Sequence, residues 1–299
     1  MPIDMKGWIH RNGRRHVSFA VFLLLSSLIF LKTLFALVEY SLHNDSSSHI
    51  VLIPFLVIFL IFLGRERIFA NAGTSLLPGL GIVLTGAFLF VLSQRTPIHQ
   101  QGNWPFSLAT LSIILVWIGG FLLSYGSSAL RAAAFALLFL LLMVPLPDVI
   151  LDRVIHVLQV GSAEVACWIF HATGTPVARN GLLLSVPGVT IEVAKECSSI
   201  RSSIALVITC LMASYLYLRT AWKVLLFVML SLLLSVVKNG IRIATLTLLS
   251  IYVDPGFLSG RLHREGGFAF FLLALILIWP IFAVMERSDR PRSPLSSSS

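Results

Sequence analysis

Long apolar runs separated by short polar joints make up most of this chain, and the joints carry most of its charges. Runs near or above the ~18–20 residues needed to cross a bilayer mark spans. They fall near Val17–Val38, Ile50–Leu63, Leu76–Leu92, Phe106–Tyr125, Ala129–Val144, Cys197–Leu218, Ala221–Tyr252 and Gly266–Met285. Lys32 falls inside the first and is free to snorkel or pair. The seventh run is longer than one crossing. Between the fifth and sixth the pattern changes: Asp148–Thr175 keeps a helical period but is interrupted by Asp, Glu, Arg and His. Such a segment fits an interfacial helix or a dip into the protein, and whether it spans is left open by the sequence. After it, "VARNGLLLSVPGVTIEVA" sets β-branched residues around Asn180-Gly181 and Pro187-Gly188, which predicts a short β-hairpin within Ala178–Ala194. Open sheet edges do not survive in hydrocarbon, so the hairpin belongs outside it. The fold class expected is an all-α polytopic membrane protein of about eight transmembrane helices with a small extracytoplasmic β-hairpin.

Composition supports that reading. Of 299 residues, 57% are hydrophobic and 12% charged, with a mean hydropathy of +0.92. A soluble domain cannot hide so much apolar surface. The formal net charge of +9 is scattered over loop ends rather than gathered in a stripe, so it reads as a topology signal and not as a nucleic-acid footprint. The N-terminal arm carries Lys6, Arg11, Arg14 and Arg15. Every second joint thereafter is basic: Arg65 and Arg67, then Arg131, then Arg219 and Lys223, then the tail from Arg287 to Arg292. The intervening "YSLHNDSSSHI" has no Lys or Arg, and "SQRTPIHQQGNWP" has one. An even span count with both termini in the cytoplasm fits, which puts the hairpin and the Pro145-Leu146-Pro147 segment outside. The N-terminus has a signal-like basic lead but no small-x-small cleavage site, and reads as a retained first span. Three cysteines without a C-x-x-C pair indicate neither a zinc site nor a disulfide framework, and no metal or other cofactor is expected.

Charges that lie close to lipid are the candidates for chemistry. From Cys197 at the outer start of the sixth span to Arg219 at its inner end is ~33 Å at 1.5 Å per residue, and from Ala221 back up to Arg242 is ~32 Å. Cys197 and Arg242 are therefore expected at nearly the same outer depth. The loop before the eighth span brings His263 to that level. A cysteine at a helix start is biased toward the thiolate. Arg201, at i+4, shares its face, and Lys238 precedes Arg242 by one turn. A thiolate so placed can attack a carbonyl while an imidazole moves protons and a guanidinium holds the oxyanion. The same residues also have plain readings: Arg201, Lys238 and Arg242 as snorkelling cations, His263 as a loop residue, and Cys167, Cys210, His156 and His171 as structural side chains.

Three motifs, "ECSSIRSS", "KNGIRI" and "LHREGG", occur in this order near the outer ends of successive late spans. Together with "MVPLPDVI" and "GTPVARNGLLLSVPG" they resemble the exosortase/archaeosortase family of membrane transpeptidases, over about Phe135 to Trp279. The resemblance divides the chain into N-terminal transmembrane helices at 1–134, an exosortase-like catalytic core at 135–285 and a disordered cytoplasmic tail at 286–299. It implies a catalytic Cys197, Arg242 and His263; Glu196, Arg201, Lys238 and Asn239, their neighbours in sequence, are the substrate-binding or supporting residues expected beside them. Ser199 stands where the family often has Gly. The implied activity is that of a cysteine peptidase or transpeptidase of the bacterial inner membrane, with its active site on the extracytoplasmic face. Its implied substrates are membrane-anchored proteins with a C-terminal sorting signal: a short motif, one transmembrane helix and a basic tail. A thioester intermediate would serve surface sorting or export linked to exopolysaccharide. Two other classes fit the residues less well. A glycosyl- or phospho-transferase acting on lipid-linked phosphate would use the same cations but calls for acidic or metal-binding groups beside them. A transporter would place its charges near the midplane and often show repeats.

Overall fold

The structure, a computed structural model, describes residues 5–95, 102–194, 200–258 and 267–289, with side chains from Gly13 onward. The chain forms two compact units, Met1–Leu151 and Asp152–Ser299. Among the described residues seven helical runs are long and apolar enough to cross a membrane. They are Asp45–Phe69, Leu76–Arg95, Trp104–Ala132, Asp148–Ala172, Ile200–Tyr217, Ala221–Tyr252 and Gly267–Asp289, and a bent pair near the N-terminus adds up to one more. The architecture is the expected all-α polytopic bundle with one small sheet.

In the first unit, α1 (Met5–Ile29) and α2 (Leu31–His43) replace the single span expected at Val17–Val38. The two are bent by 77° at Phe30. No proline or glycine marks this corner. The Phe30 ring is held instead against Phe90, at 4.7 Å between centroids, and in a cluster with Ile113 and Val116. The next run joins two 3-10 turns, Asp45–Ser47 and Ile50–Leu52, to α3 (Ile53–Phe69).

Helices α4 (Leu76–Arg95) and α5 (Trp104–Ala132) pack through small residues. A Cβ at Gly86 would lie 2.8 Å from the Ser112 carbonyl oxygen, and one at Gly119 would lie 2.7 Å from Val83 Cγ2. This is the close approach that glycine permits between membrane helices.

The fifth span, expected as one helix over Ala129–Val144, is broken. Gly126 breaks α5 with φ 78° and ψ 176°, a left-handed φ open to glycine. Ser127–Ala132, α6 (Ala134–Phe139) and a 3-10 turn (Leu140–Met143) then carry the chain onward in pieces. Hydrogen bonds fix where this piece begins and ends. Gly73 N donates to the Tyr125 carbonyl (2.9 Å) and Ser127 N to Ser75 Oγ (3.1 Å) at one end of α5. At the other end Ser107 Oγ donates to the Pro145 carbonyl (2.6 Å), and Asn103 exchanges bonds with Asp148 (both 2.9 Å). Residues 107 to 125 of α5 span about 27 Å, and residues 127 to 145 cover that distance back. The passage exists, but as a broken helix.

Among the described residues, the second unit holds most of α7 (Asp148–Ala172), a three-stranded antiparallel sheet, and three further α-helices. The strands are β1 (Ala178–Asn180), β2 (Leu183–Val186) and β3 (Val189–Glu192), in the order β1-β2-β3. One hairpin was expected and two are present, because both Asn-Gly and Pro-Gly turn the chain. Gly181 (φ 62°) and Gly188 (φ 82°) supply the positive φ these tight turns need. The helices are α8 (Ile200–Tyr217), α9 (Ala221–Tyr252) and α10 (Gly267–Asp289). The last runs four residues past the expected start of the tail. The Asp289 carboxylate there accepts from Thr220 Oγ1 (2.5 Å) and Lys223 Nζ (2.9 Å), tying the ends of α9 and α10 together.

Candidate functional site

Helix α9 is 32 residues long and carries the candidate cations in its C-terminal half. Lys238 is fully buried (0% exposed) and Arg242, one turn on, is 8% exposed. Side chains at i and i+4 share a helix face, so the two cations lie one above the other inside the unit. This departs from simple snorkelling, in which the charged head reaches water. Lys238 Nζ donates instead to Ser202 Oγ in the first turn of α8. Arg201, beside Ser202, is exposed.

Small residues allow α7 to approach α9 closely. A Cβ at Gly240 would meet Val165 Cβ at 2.5 Å, and one at Gly161 would meet Val236 Cγ1 at 2.7 Å. The contact is closed by Asn239, whose Nδ2 donates to Ser162 Oγ (3.0 Å). Just beyond Arg242, Ile243 and Ala244 join Ala163, Ala166, Cys167 and Phe170 of α7 in one buried cluster. Leu184, Val186 and Val193 belong to that cluster and seat the sheet on the same pair of helices. Gln159 Nε2 donates to the Val193 carbonyl at 2.6 Å, pinning the chain where it leaves β3.

Lys238, Asn239 and Arg242 therefore occupy one stretch of α9, with Ser202 hydrogen-bonded to the first of them. Glu196, Cys197 and His263 lie outside the described residues. The chain on either side of Cys197 is described. Val193 is hydrogen-bonded to Gln159 and belongs to the cluster that includes Ile243, and Ile200 starts α8 two residues before Ser202.

Cys167 and Cys210 are buried in separate apolar clusters. Glu164 pairs with Arg179 of β1 and accepts from Trp168 Nε1 (3.0 Å). Sequence reasoning passed over Gln159, Ser162 and Ser202. The first two recur at i and i+3 on one face of α7, a polar pair on an otherwise apolar face and the one signal that could have singled them out. Ser202 carries no such mark.

Among the described residues, no group of three or more His, Cys, Asp or Glu side chains is placed to hold a metal ion. A family model described as Transmembrane exosortase (Exosortase_EpsH) matches residues 40–280. No curated protein and no solved structure matches the chain.

Proposed function

The chain belongs to the transmembrane exosortase family, and on that premise we propose that it cleaves membrane-anchored proteins at a C-terminal sorting signal through a thioester on Cys197. Family and architecture together make it a multi-pass inner-membrane protein with an exosortase-like protease or transpeptidase role. The residue roles are our reading. The Cys197 thiolate attacks the scissile carbonyl, Arg242 holds the oxyanion, and His263 protonates the leaving amine and then activates the incoming nucleophile. Asn239 and Lys238 hold the Arg242 turn against α7 and α8. Glu196 and Arg201 flank the nucleophile in sequence and set the local charge.

One observation supports this reading: Ser202, five residues after Cys197 in sequence, accepts a hydrogen bond from Lys238, one helical turn before Arg242. A substrate with a single transmembrane helix and an inner basic tail would lie along the bundle and present its motif at this level. An extended motif could add to an open edge of the sheet, at β1 or β3.

Replacing Cys197 by Ala tests the covalent step. A tagged substrate with one C-terminal span, co-expressed with the variant, is expected to accumulate uncleaved. The wild-type enzyme is expected to yield a substrate adduct that hydroxylamine releases. Undiminished cleavage by Cys197→Ala would rule out the thioester.

A further inference from the structure

We propose that Ser202 and Lys238 form a serine–lysine dyad able to take an acyl group independently of Cys197. The pair has the layout that chemistry needs. Ser202 is partly exposed in the first turn of α8, while Lys238 is fully buried behind it and donates from Nζ to Ser202 Oγ. A lysine that merely relieved its charge would turn its ammonium to water; this one ends on a hydroxyl inside the unit. Its position is held on both sides. Asn239, the next residue, is bound to Ser162 of α7, and Gly240 brings the two helices to near contact. Lysine is also the cationic side chain whose charge state yields to burial, which is why it serves as a base in hydrolytic sites. Ser-Lys pairs are a known variant of the nucleophile–base arrangement.

The step balances without a cofactor. The neutral Lys238 amine takes the Ser202 proton as Oγ bonds to the carbonyl carbon of an ester or peptide. The tetrahedral intermediate collapses, the carbonyl carbon–leaving group bond breaks, and the leaving alcohol or amine takes the proton from Lys238. Water then attacks the acyl-serine. Lys238 accepts a proton from that water and returns it to Oγ as the acyl–oxygen bond breaks. The substrates implied are acyl esters or peptide carbonyls reaching the outer start of α8.

The test uses the full-length protein in detergent with a biotinylated fluorophosphonate, whose fluoride leaves as the hydroxyl oxygen bonds to phosphorus. The adduct is mapped by peptide mass spectrometry. An adduct on Ser202 is expected, with at least a tenfold lower labelling rate in Ser202→Ala and in Lys238→Arg. Arginine keeps the cation and the donor but cannot accept the proton, so the second variant separates a base from a structural hydrogen bond. Because Lys238 is buried, each variant is first shown to elute as the wild type does on size exclusion. Ser202→Ala removes one partly exposed oxygen and decides between the outcomes should Lys238→Arg not fold. No adduct on Ser202, or wild-type labelling in a folded Lys238→Arg protein, overturns the proposal. The readout is residue-specific, so its failure leaves the Cys197 thioester untouched, and the converse holds.

Discussion

A guanidinium and an ammonium differ most where geometry matters, and Arg242 is placed so that the difference can be measured. It is almost wholly buried one turn from Lys238, on the helix face from which Lys238 reaches Ser202 of α8. If its work is to hold a developing oxyanion, Arg242→Lys keeps the charge but loses the planar fork. Losing one such donor costs about 10²–10³ in rate, so single-turnover cleavage is expected to slow by that order while the protein stays folded. A lysine variant cleaving at the wild-type rate would reduce Arg242 to a structural cation. At this scale the sequence was readable where a residue type is costly in lipid: Lys238 and Arg242 stood out as charges in an apolar run. Ser202 did not, because a serine near the end of a membrane helix is ordinary. Only the cross-helix meeting with Lys238 gives it meaning.

Elements were readable in proportion to how local their causes are. Asn180-Gly181 and Pro187-Gly188 announce turns through backbone stereochemistry, and both turns are present, one more than the single hairpin expected. The bend at Phe30 and the break at Gly126 depend on partners distant in sequence, Phe90 in one case and Gly73 with Ser75 in the other. Hydropathy cannot see them. The α4–α5 contact offers a quantitative check. Gly86 faces the Ser112 carbonyl and Val116, whereas a Cβ at Gly81 on the same helix meets nothing within 4 Å. Gly86→Leu is expected to destabilise the first unit by about 1–3 kcal/mol, the usual cost of overpacking, and Gly81→Leu is expected to be close to neutral. Thermal unfolding in detergent compares the two. Equal shifts would mean that the small-residue seam does not hold these helices together.

For the whole molecule the open matter at the level of sequence was whether Asp148–Thr175 crosses the membrane, since one added crossing would move the C-terminus to the other side. Length and composition make α7 long enough to cross. Its connections argue otherwise. Its first residue, Asp148, is hydrogen-bonded to Asn103. That end of α5 is opposite to the one where Arg15 donates to the Gly73 carbonyl and Arg65 and Arg67 close α3. By the positive-inside rule the basic end is expected in the cytoplasm and the start of α7 outside. Its far end leads in sequence to the sheet and then α8, which is followed by Arg219 and Lys223. On that rule both ends of α7 are expected outside, and an amphipathic helix with Asp148, Asp152, Arg153 and His156 in its first half suits the interface better than the hydrocarbon. Single cysteines placed at Asp152 and at Arg179, in a chain with Cys167, Cys197 and Cys210 replaced by Ser, are expected to react with a membrane-impermeant maleimide added to whole spheroplasts. One at Lys223 is expected to react only after permeabilisation. Protection of Asp152→Cys in intact spheroplasts, with Arg179→Cys still labelled, would make α7 a ninth crossing and put the two termini on opposite sides of the membrane.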